Sequence, residues 1–513
     1  MRNGMLRRDF LRLASAAGAG LILPGCGNDG SSGSGESQEI VVLGAGMAGL
    51  TAAFELVKAG HRVTVLEAQE RVGGRILTSR GFPGGAYGEL GATRIPDVHE
   101  QTLGYVDELG LELEEFDSGD SLYFLKGNRF VHREGDSYPL DMKPIEQEKG
   151  LGMWEDYIAA NFDLFGNIRE GTFPAPGALE AFDDLVYVDF LRQQGASEDW
   201  LRLYSADQGS EVFKIGTIAW MVLEVADQSW DKTFHIKGGN DLLPQALASR
   251  LGDRIRFGAA VRAIDHGTGS VKVTYEQGGK TRAVTAEHVV CTLPFPILRE
   301  IEVNPGFSSE KQRVISELYM MPASRACLST ATRFWKDEGI GGLKIAKTDT
   351  PIERLWDLGS AAGGDTGMIQ AYMQYQNAEA FAAVAPADRQ EYALTQIEAF
   401  YPQIRDELTG YTEHIWGDDP YARGAWTDLL PGQASFLSVA GAAEGRVHFA
   451  GEHTSVWAGW IQGAIESGKR AAYEIDASIA FPYPLVDIGG RATRAISKAT
   501  QTAPKPRYRS WAR

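Results

Sequence analysis

Ile40-Val41-Val42-Leu43-Gly44-Ala45-Gly46-Met47-Ala48-Gly49 opens a helical run to Ala59, and Arg62-Val63-Thr64-Val65-Leu66-Glu67 follows it. The order is strand, glycine turn, helix, strand, acid. Four consecutive apolar residues suit a strand buried on both faces of a parallel sheet. Gly44 permits the tight turn, Gly46 lets the backbone approach a pyrophosphate, and Gly49 lets the helix lie close to the strand. Met47 and Ala48 carry the first amides of that helix, whose positive end favours phosphate. Glu67 ends the second strand, where a carboxylate can accept hydrogen bonds from a ribose diol. A glycine triplet alone is a weak sign. With its strand, its helix and its acid in place, the stretch points to a bound dinucleotide.

The continuation narrows the choice. Glu67-Ala68-Gln69-Glu70-Arg71-Val72-Gly73-Gly74-Arg75 resembles the ExxxRxGGR pattern of glutathione-reductase-like FAD proteins. The resemblance implies cofactor contacts at Glu67, Ala68, Arg71, Gly74 and Arg75. Two arginines beside a glycine pair suit a ligand whose phosphates need more cations than one helix end supplies. The plain alternative is a basic surface loop.

The chain has 513 residues, 43% apolar and 23% charged, with a net charge of −18. It is long enough for two domains, and its charge argues against nucleic acid as a partner. The three cysteines, Cys26, Cys291 and Cys327, are too few for a disulfide framework and lack metal-ligand spacing. No metal site is expected. Leu6-Arg7-Arg8-Asp9-Phe10-Leu11 looks like a twin-arginine export signal, and the apolar segment after it is too short for an ordinary membrane span. Leu23-Pro24-Gly25-Cys26 resembles a lipobox with Cys26 as the acylated residue; the alternative is a cleaved signal without a lipid. Residues 1–37 are therefore set apart as signal and flexible linker.

The expected fold class is α/β: a glutathione-reductase-like FAD-binding Rossmann domain plus a mixed α+β substrate domain. The FAD domain is expected from 38–96, 231–304 and 413–480, and the substrate domain from 97–230 and 305–412. Residues 481–513 form a basic tail, expected to be mobile. In Glu89-Leu90-Gly91-Ala92-Thr93-Arg94-Ile95-Pro96, Gly91, Ala92 and Thr93 let the backbone pass a planar ring, with Arg94 at its edge. The segment 97–230 reads as mostly helical, with Trp154, Trp200, Trp220 and Trp230 as core. Val261 lies on a strand resembling the one that covers the adenine in flavin oxidases, although core packing alone would explain it. Val447-His448-Phe449-Ala450-Gly451-Glu452 reads as strand, glycine and acid. A helix is expected from Gly459 to Glu474, with the amides of Gly459, Trp460 and Ile461 toward the flavin ring, where charge develops on reduction.

From about Glu39 to Ala477 the chain resembles the flavin-containing amine oxidase family, and within it the L-amino-acid oxidases. The carriers are the two FAD motifs, Gly91–Pro96, Phe334-Trp335-Lys336-Asp337-Glu338-Gly339-Ile340 with Ala371-Tyr372, and Phe449–Thr454 with Gly459–Ala464. The resemblance implies oxidative deamination of an L-amino acid, with hydride passed to FAD and oxygen reduced to hydrogen peroxide. Trp426 and Trp460 would wall the amine path, and Arg94 and Tyr372 would hold the α-carboxylate. Ala425 stands where relatives with covalent FAD carry cysteine, so non-covalent FAD is expected. Arg325 falls on a lysine that holds a water near the flavin in the family. It is expected either to hold that water or to bind a substrate acid. Arg325, Trp426 and Trp460 are the catalytic candidates.

The alternative is an exported oxidase or dehydrogenase for a non-carboxylate amine, passing electrons to a redox protein. The partners implied are a small amino acid or amine, oxygen or a redox protein, no nucleic acid, and a membrane only through Cys26. A homodimer is left open, and export places the protein in the periplasm or cell envelope.

Overall fold

The computed structural model describes residues 36–483 apart from 134, 228–229 and 360–364. The twin-arginine stretch, Cys26 and nearly all of the linker and basic tail lie outside the described residues. All elements below belong to the unit that begins at Gln38.

The opening stretch forms the strand Glu39–Leu43, the helix Met47–Lys58 and the strand Arg62–Leu66. Glu39–Leu43 is central in a five-stranded sheet, between Arg62–Leu66 and His288–Cys291, with Ile255–Arg256 and Val447–Phe449 at the edges. Every pairing is parallel. Two faces must then be covered, and the helices Met47–Lys58 and Ile461–Ile475 cover one of them. The two helices meet backbone to backbone: a Cβ on Gly468 would overlap the Ala48 carbonyl oxygen, and one on Gly49 would overlap that of Gly44.

A four-stranded sheet, built on Ala260–His266 and Val271–Gln277, packs its apolar side with the other face of the parallel sheet. Sequence reading treats 254–265 as one strand. The chain instead leaves the parallel sheet after Arg256, turns at Gly258 (φ +61°) and starts again at Ala260.

The largest sheet has seven strands, in the order Leu408–Ile415, Ala323–Thr330, Gly367–Gln374, Arg354–Asp357, Lys344–Thr348, Leu122–Leu125, Asn128–Val131. Its register aligns Arg325 with Tyr372 and Tyr372 with Arg354. Paired residues share a face, so two guanidinium groups flank one phenol. The segment 97–230 is less helical than its pattern suggests: it also supplies the hairpin Leu122–Leu125 and Asn128–Val131. Lys126 and Gly127 both have positive φ, the backbone of a tight hairpin turn, but Lys-Gly lacks the usual Asn-Gly signal. The helices of this segment bury Trp200, Tyr187, Tyr204 and Phe190 in one core. Among the described residues no helix is long and apolar enough to cross a membrane.

Gly468→Val should drive a side chain into the Ala48 carbonyl and cost about 1–3 kcal/mol. Gly104, in the helix Glu100–Glu108, faces open space, and Gly104→Ala should be neutral or gain up to about 1 kcal/mol. Denaturant unfolding of the two variants side by side checks the contrast.

Candidate active site

A cavity of about 230 Å³ runs from the turn after Leu43 to the start of the helix Ile461–Ile475. Its walls include Gly44, Gly46, Met47 and Ala48 from the glycine turn, and Glu67, Ala68, Gly74 and Arg75 from the acid and its continuation. Gly91, Ala92, Val261, Arg325, Trp426, Glu452, Gly459, Trp460 and Ile461 also line it. Gly49, Arg71, Thr93, Arg94 and Tyr372 do not. Gly49 serves packing, as its clash with Gly44 shows. Arg71 donates to its neighbour's carbonyl, Val72 O, at 3.3 Å.

The dinucleotide end is built before any ligand arrives. Glu67 accepts the amides of Ala45 at 2.6 Å and Gln69 at 2.8 Å, which fixes the carboxylate at the cavity wall. Burial pushes its pKa up, and these hydrogen bonds oppose the shift. A Cβ at Gly46 would meet nothing within 4 Å, so the backbone there is open to a ligand. These features fit the adenosine and pyrophosphate of a dinucleotide.

At the other end, Arg75 Nη1 donates to Glu452 Oε1 at 2.6 Å and to Ala425 O at 3.2 Å. Glu452 Oε2 accepts the amides of Thr427 and Gly459 at 3.2 and 2.9 Å. One carboxylate thus gathers the second glycine motif, the Trp426 strand and the approach to the last helix. That helix starts at Ile461, not Gly459: Gly459 has φ +79° and packs against the Trp426 ring. Its first amides still open on the cavity through Ile461.

Arg94 lies beside the cavity in a box of indoles. Its guanidinium carbon is 4.8, 4.9 and 5.6 Å from the ring centres of Trp356, Trp460 and Trp230. Burial, reinforced by Arg354 and Arg325 and opposed by Tyr372, lowers its pKa to about 10, so it stays charged at neutral pH. No carboxylate among the described residues lies within ion-pair distance of it. Tyr372 is 6% exposed and stands edge-on to both Trp356 and Trp426. Arg325 and Arg354 cover its ring at 4.0 and 4.8 Å. Arg325 Nη1 also donates to the Gly91 carbonyl and to Thr93 Oγ1, so Arg325 ties the Gly91–Thr93 loop to the sheet while lining the cavity.

The family is settled by a match over most of the chain. Residues 47–476 match the model for flavin containing amine oxidoreductase. The chain belongs to the flavin-containing amine oxidoreductases. It is 30% identical over 472 residues to an L-amino-acid oxidase of Vipera ammodytes ammodytes, covering 86% of this chain and 93% of that one. It is 31% identical to the flavin-dependent L-tryptophan oxidase of Lentzea aerocolonigenes, covering 86% and 98%. Putrescine oxidase bound to putrescine superposes with a TM-score of 0.75 at 21% identity, covering 86% of this chain and 99% of that chain. Cyclohexylamine oxidase from Brevibacterium oxydans gives 0.73 at 23%, with the same coverage.

The cofactor of this family is FAD, and the lining of the cavity fits it. Ala425 lines the cavity, and neither described cysteine, Cys291 or Cys327, does. Among the described residues no thiol lines the cavity to form a covalent flavin link. No group of described His, Cys, Asp or Glu residues is arranged to hold a metal ion.

Sequence reasoning missed several residues of this region. Trp230, read as core, stands 5.7 Å from Trp460 and over Arg94. Trp356, 1% exposed, and Arg354 reach the site only through strand register. Trp416 lines the cavity and donates to Leu90 O at 2.7 Å. Glu211 and Asp428 sit beside Tyr372 and Trp426 with no motif to mark them.

Glu452→Ala should leave Arg75 partly buried without its acid and cost about 3–5 kcal/mol. The purified variant should lose flavin, seen as a lower ratio of flavin to protein absorbance, and should regain little on added FAD.

Proposed function

We propose that this enzyme oxidises an L-amino acid to the 2-oxo acid and ammonia, with oxygen reduced to hydrogen peroxide. The observation that carries the proposal is Arg94, a guanidinium boxed by three indoles and left without an acid. FAD bound in the cavity supplies the hydride acceptor. Arg94 would pair with the α-carboxylate through its planar fork, and the Tyr372 hydroxyl would share that carboxylate. A buried tyrosine whose pKa is raised by desolvation stays a hydrogen-bond donor. Trp426 and Trp460 present apolar faces that disfavour the charged ammonium, so the amine reaches the reacting position neutral. The resulting imine then hydrolyses.

The two relatives at 30% and 31% identity are oxidases of L-amino acids, which supports this substrate class. The second reading, a carboxylate-free amine oxidised with a redox protein as acceptor, is favoured by Arg325 in place of the family lysine. The proposal extends to location: export by the Leu6–Leu11 signal into the cell envelope, with lipid attachment at Cys26.

Arg94→Ala should lower kcat/KM for the preferred L-amino acid by about 2–5 kcal/mol, roughly 30-fold to several thousand-fold, mainly through KM. Arg94→Lys should recover part of it, since a point charge cannot form the bidentate pair. Anaerobic flavin bleaching by a panel of L-amino acids and simple amines tests the class directly. Bleaching by simple amines alone would sink the proposal.

A further inference from the structure

Two carboxylates border the substrate residues and have no role in the chemistry above. Glu211, 7% exposed, accepts one hydrogen bond, from Gln374 Nε2. Gln374 also donates to the Tyr372 hydroxyl at 3.5 Å, so Glu211 is one side chain away from Tyr372. Asp428 accepts one hydrogen bond, from Trp426 Nε1 at 3.0 Å. Trp426 and Tyr372 are themselves edge-on at 6.1 Å. The two acids thus stand behind two adjoining walls of one site. Each keeps an oxygen with no protein partner.

No Lys, Arg or His among the described residues is within ion-pair distance of either acid, although the charges of Arg354 and Arg94 act on Glu211 from farther off. The nearest candidate, Arg354, donates to Gln208 O, Asp207 O and Gln374 Oε1 and lies 4.0 Å from Glu353. Glu353 is itself occupied by Ser210, Asn377 and the Gln374 amide. Arg94 faces the indoles and Arg325 is tied to Thr93. Glu211 is buried and Asp428 half-buried, and carboxylates so placed, with one hydrogen bond each and no ion pair, are costly. Burial raises Glu211 to about 7 against the pull of Arg354, and burial with the Glu211 charge raises Asp428 well above the usual carboxylate range.

We propose that Glu211 and Asp428 form the side-chain end of the substrate site and select a basic L-amino acid, whose terminal ammonium or guanidinium supplies the missing cation. This rests on the amino-acid proposal above, in which Arg94 takes the α-carboxylate. The site is then polarised, with its cation at the carboxylate end and its acids at the side-chain end. An acidic side chain would be repelled, and an apolar one would leave both carboxylates unpaired.

The test uses the FAD-loaded full chain and compares L-lysine and L-arginine with L-norleucine, the neutral counterpart of lysine. In the wild type kcat/KM should favour a basic substrate by at least about tenfold. Asp428→Asn and Glu211→Gln should each lower the basic-to-norleucine ratio by about tenfold or more, through KM rather than kcat. Two separate variants are used, so loss of folding in one leaves the other to decide. Turnover of norleucine in preference to both basic substrates, or variants that lower both classes equally, would overturn the acid-pair proposal while leaving the amino-acid proposal standing. Turnover of carboxylate-free amines alone would remove the amino-acid proposal, and this one with it.

Discussion

The Arg75–Glu452 pair holds this active site together. Its partners are 377 residues apart in the chain; Arg75 lies in a loop, and Glu452 opens a single 3-10 turn, Glu452–Thr454. Arg75 follows a double glycine in which Gly73 and Gly74 both have positive φ. Glu452 follows Gly451 at φ +132°. Both backbones are therefore bent so that the side chains meet. Once joined, the remaining oxygen of Glu452 holds the amides of Thr427 and Gly459, and these carry Trp426 and Trp460 with them. A buried pair of this kind adds little net stability compared with apolar packing, but losing one partner strands the other. Its effect is on position: it sets where two tryptophans from distant segments stand beside the cavity.

The second constraint is the register of the seven-stranded sheet. Arg325, Tyr372 and Arg354 lie on three neighbouring strands in one row. A slip of one residue on any strand would turn its side chain to the opposite face. The row stiffens Tyr372 by covering both faces of its ring with guanidinium groups, each of which is spent on backbone or side-chain acceptors elsewhere. Arg94 is the exception. Its charge meets indole faces only, and indole faces attract a cation without neutralising it.

This division explains what could be read from the sequence. The glycine turn, its helix and Glu67 were legible because each needs a special residue at a fixed local spacing: Gly44 for its φ of +100°, Gly49 for contact with the Gly44 backbone, an acid at a strand end. Trp230, Trp356, Glu211 and Asp428 were not. Nothing near them in the chain marks them; they reach the site through strand pairing and helix packing over long separations. The hairpin at Lys126–Gly127 escaped because lysine rarely adopts positive φ. Arg325 was legible as a site residue by spacing, but its hydrogen bonds to Gly91 and Thr93 depend on where the loop lies.

The charges also bear on the choice between an amino acid and a plain amine. A monoamine bound as a cation about 7 Å from Arg94 would meet a repulsion of about 2 kcal/mol at an effective dielectric of about 20. Arg325 and Arg354 would add to it. Putrescine and cyclohexylamine, named in the structures that share this fold, carry no carboxylate to offset that cost. An amino acid does, because its carboxylate turns the same field into attraction. For a cationic side chain the direction of the field matters as well. In the proposed binding mode, Arg94 and the acid pair would form a dipole that an amino acid with a basic side chain matches end to end, whereas a diamine would put one of its two positive ends against Arg94. On the amino-acid proposal, the same arginine that would make a simple amine a poor ligand would orient a zwitterionic one.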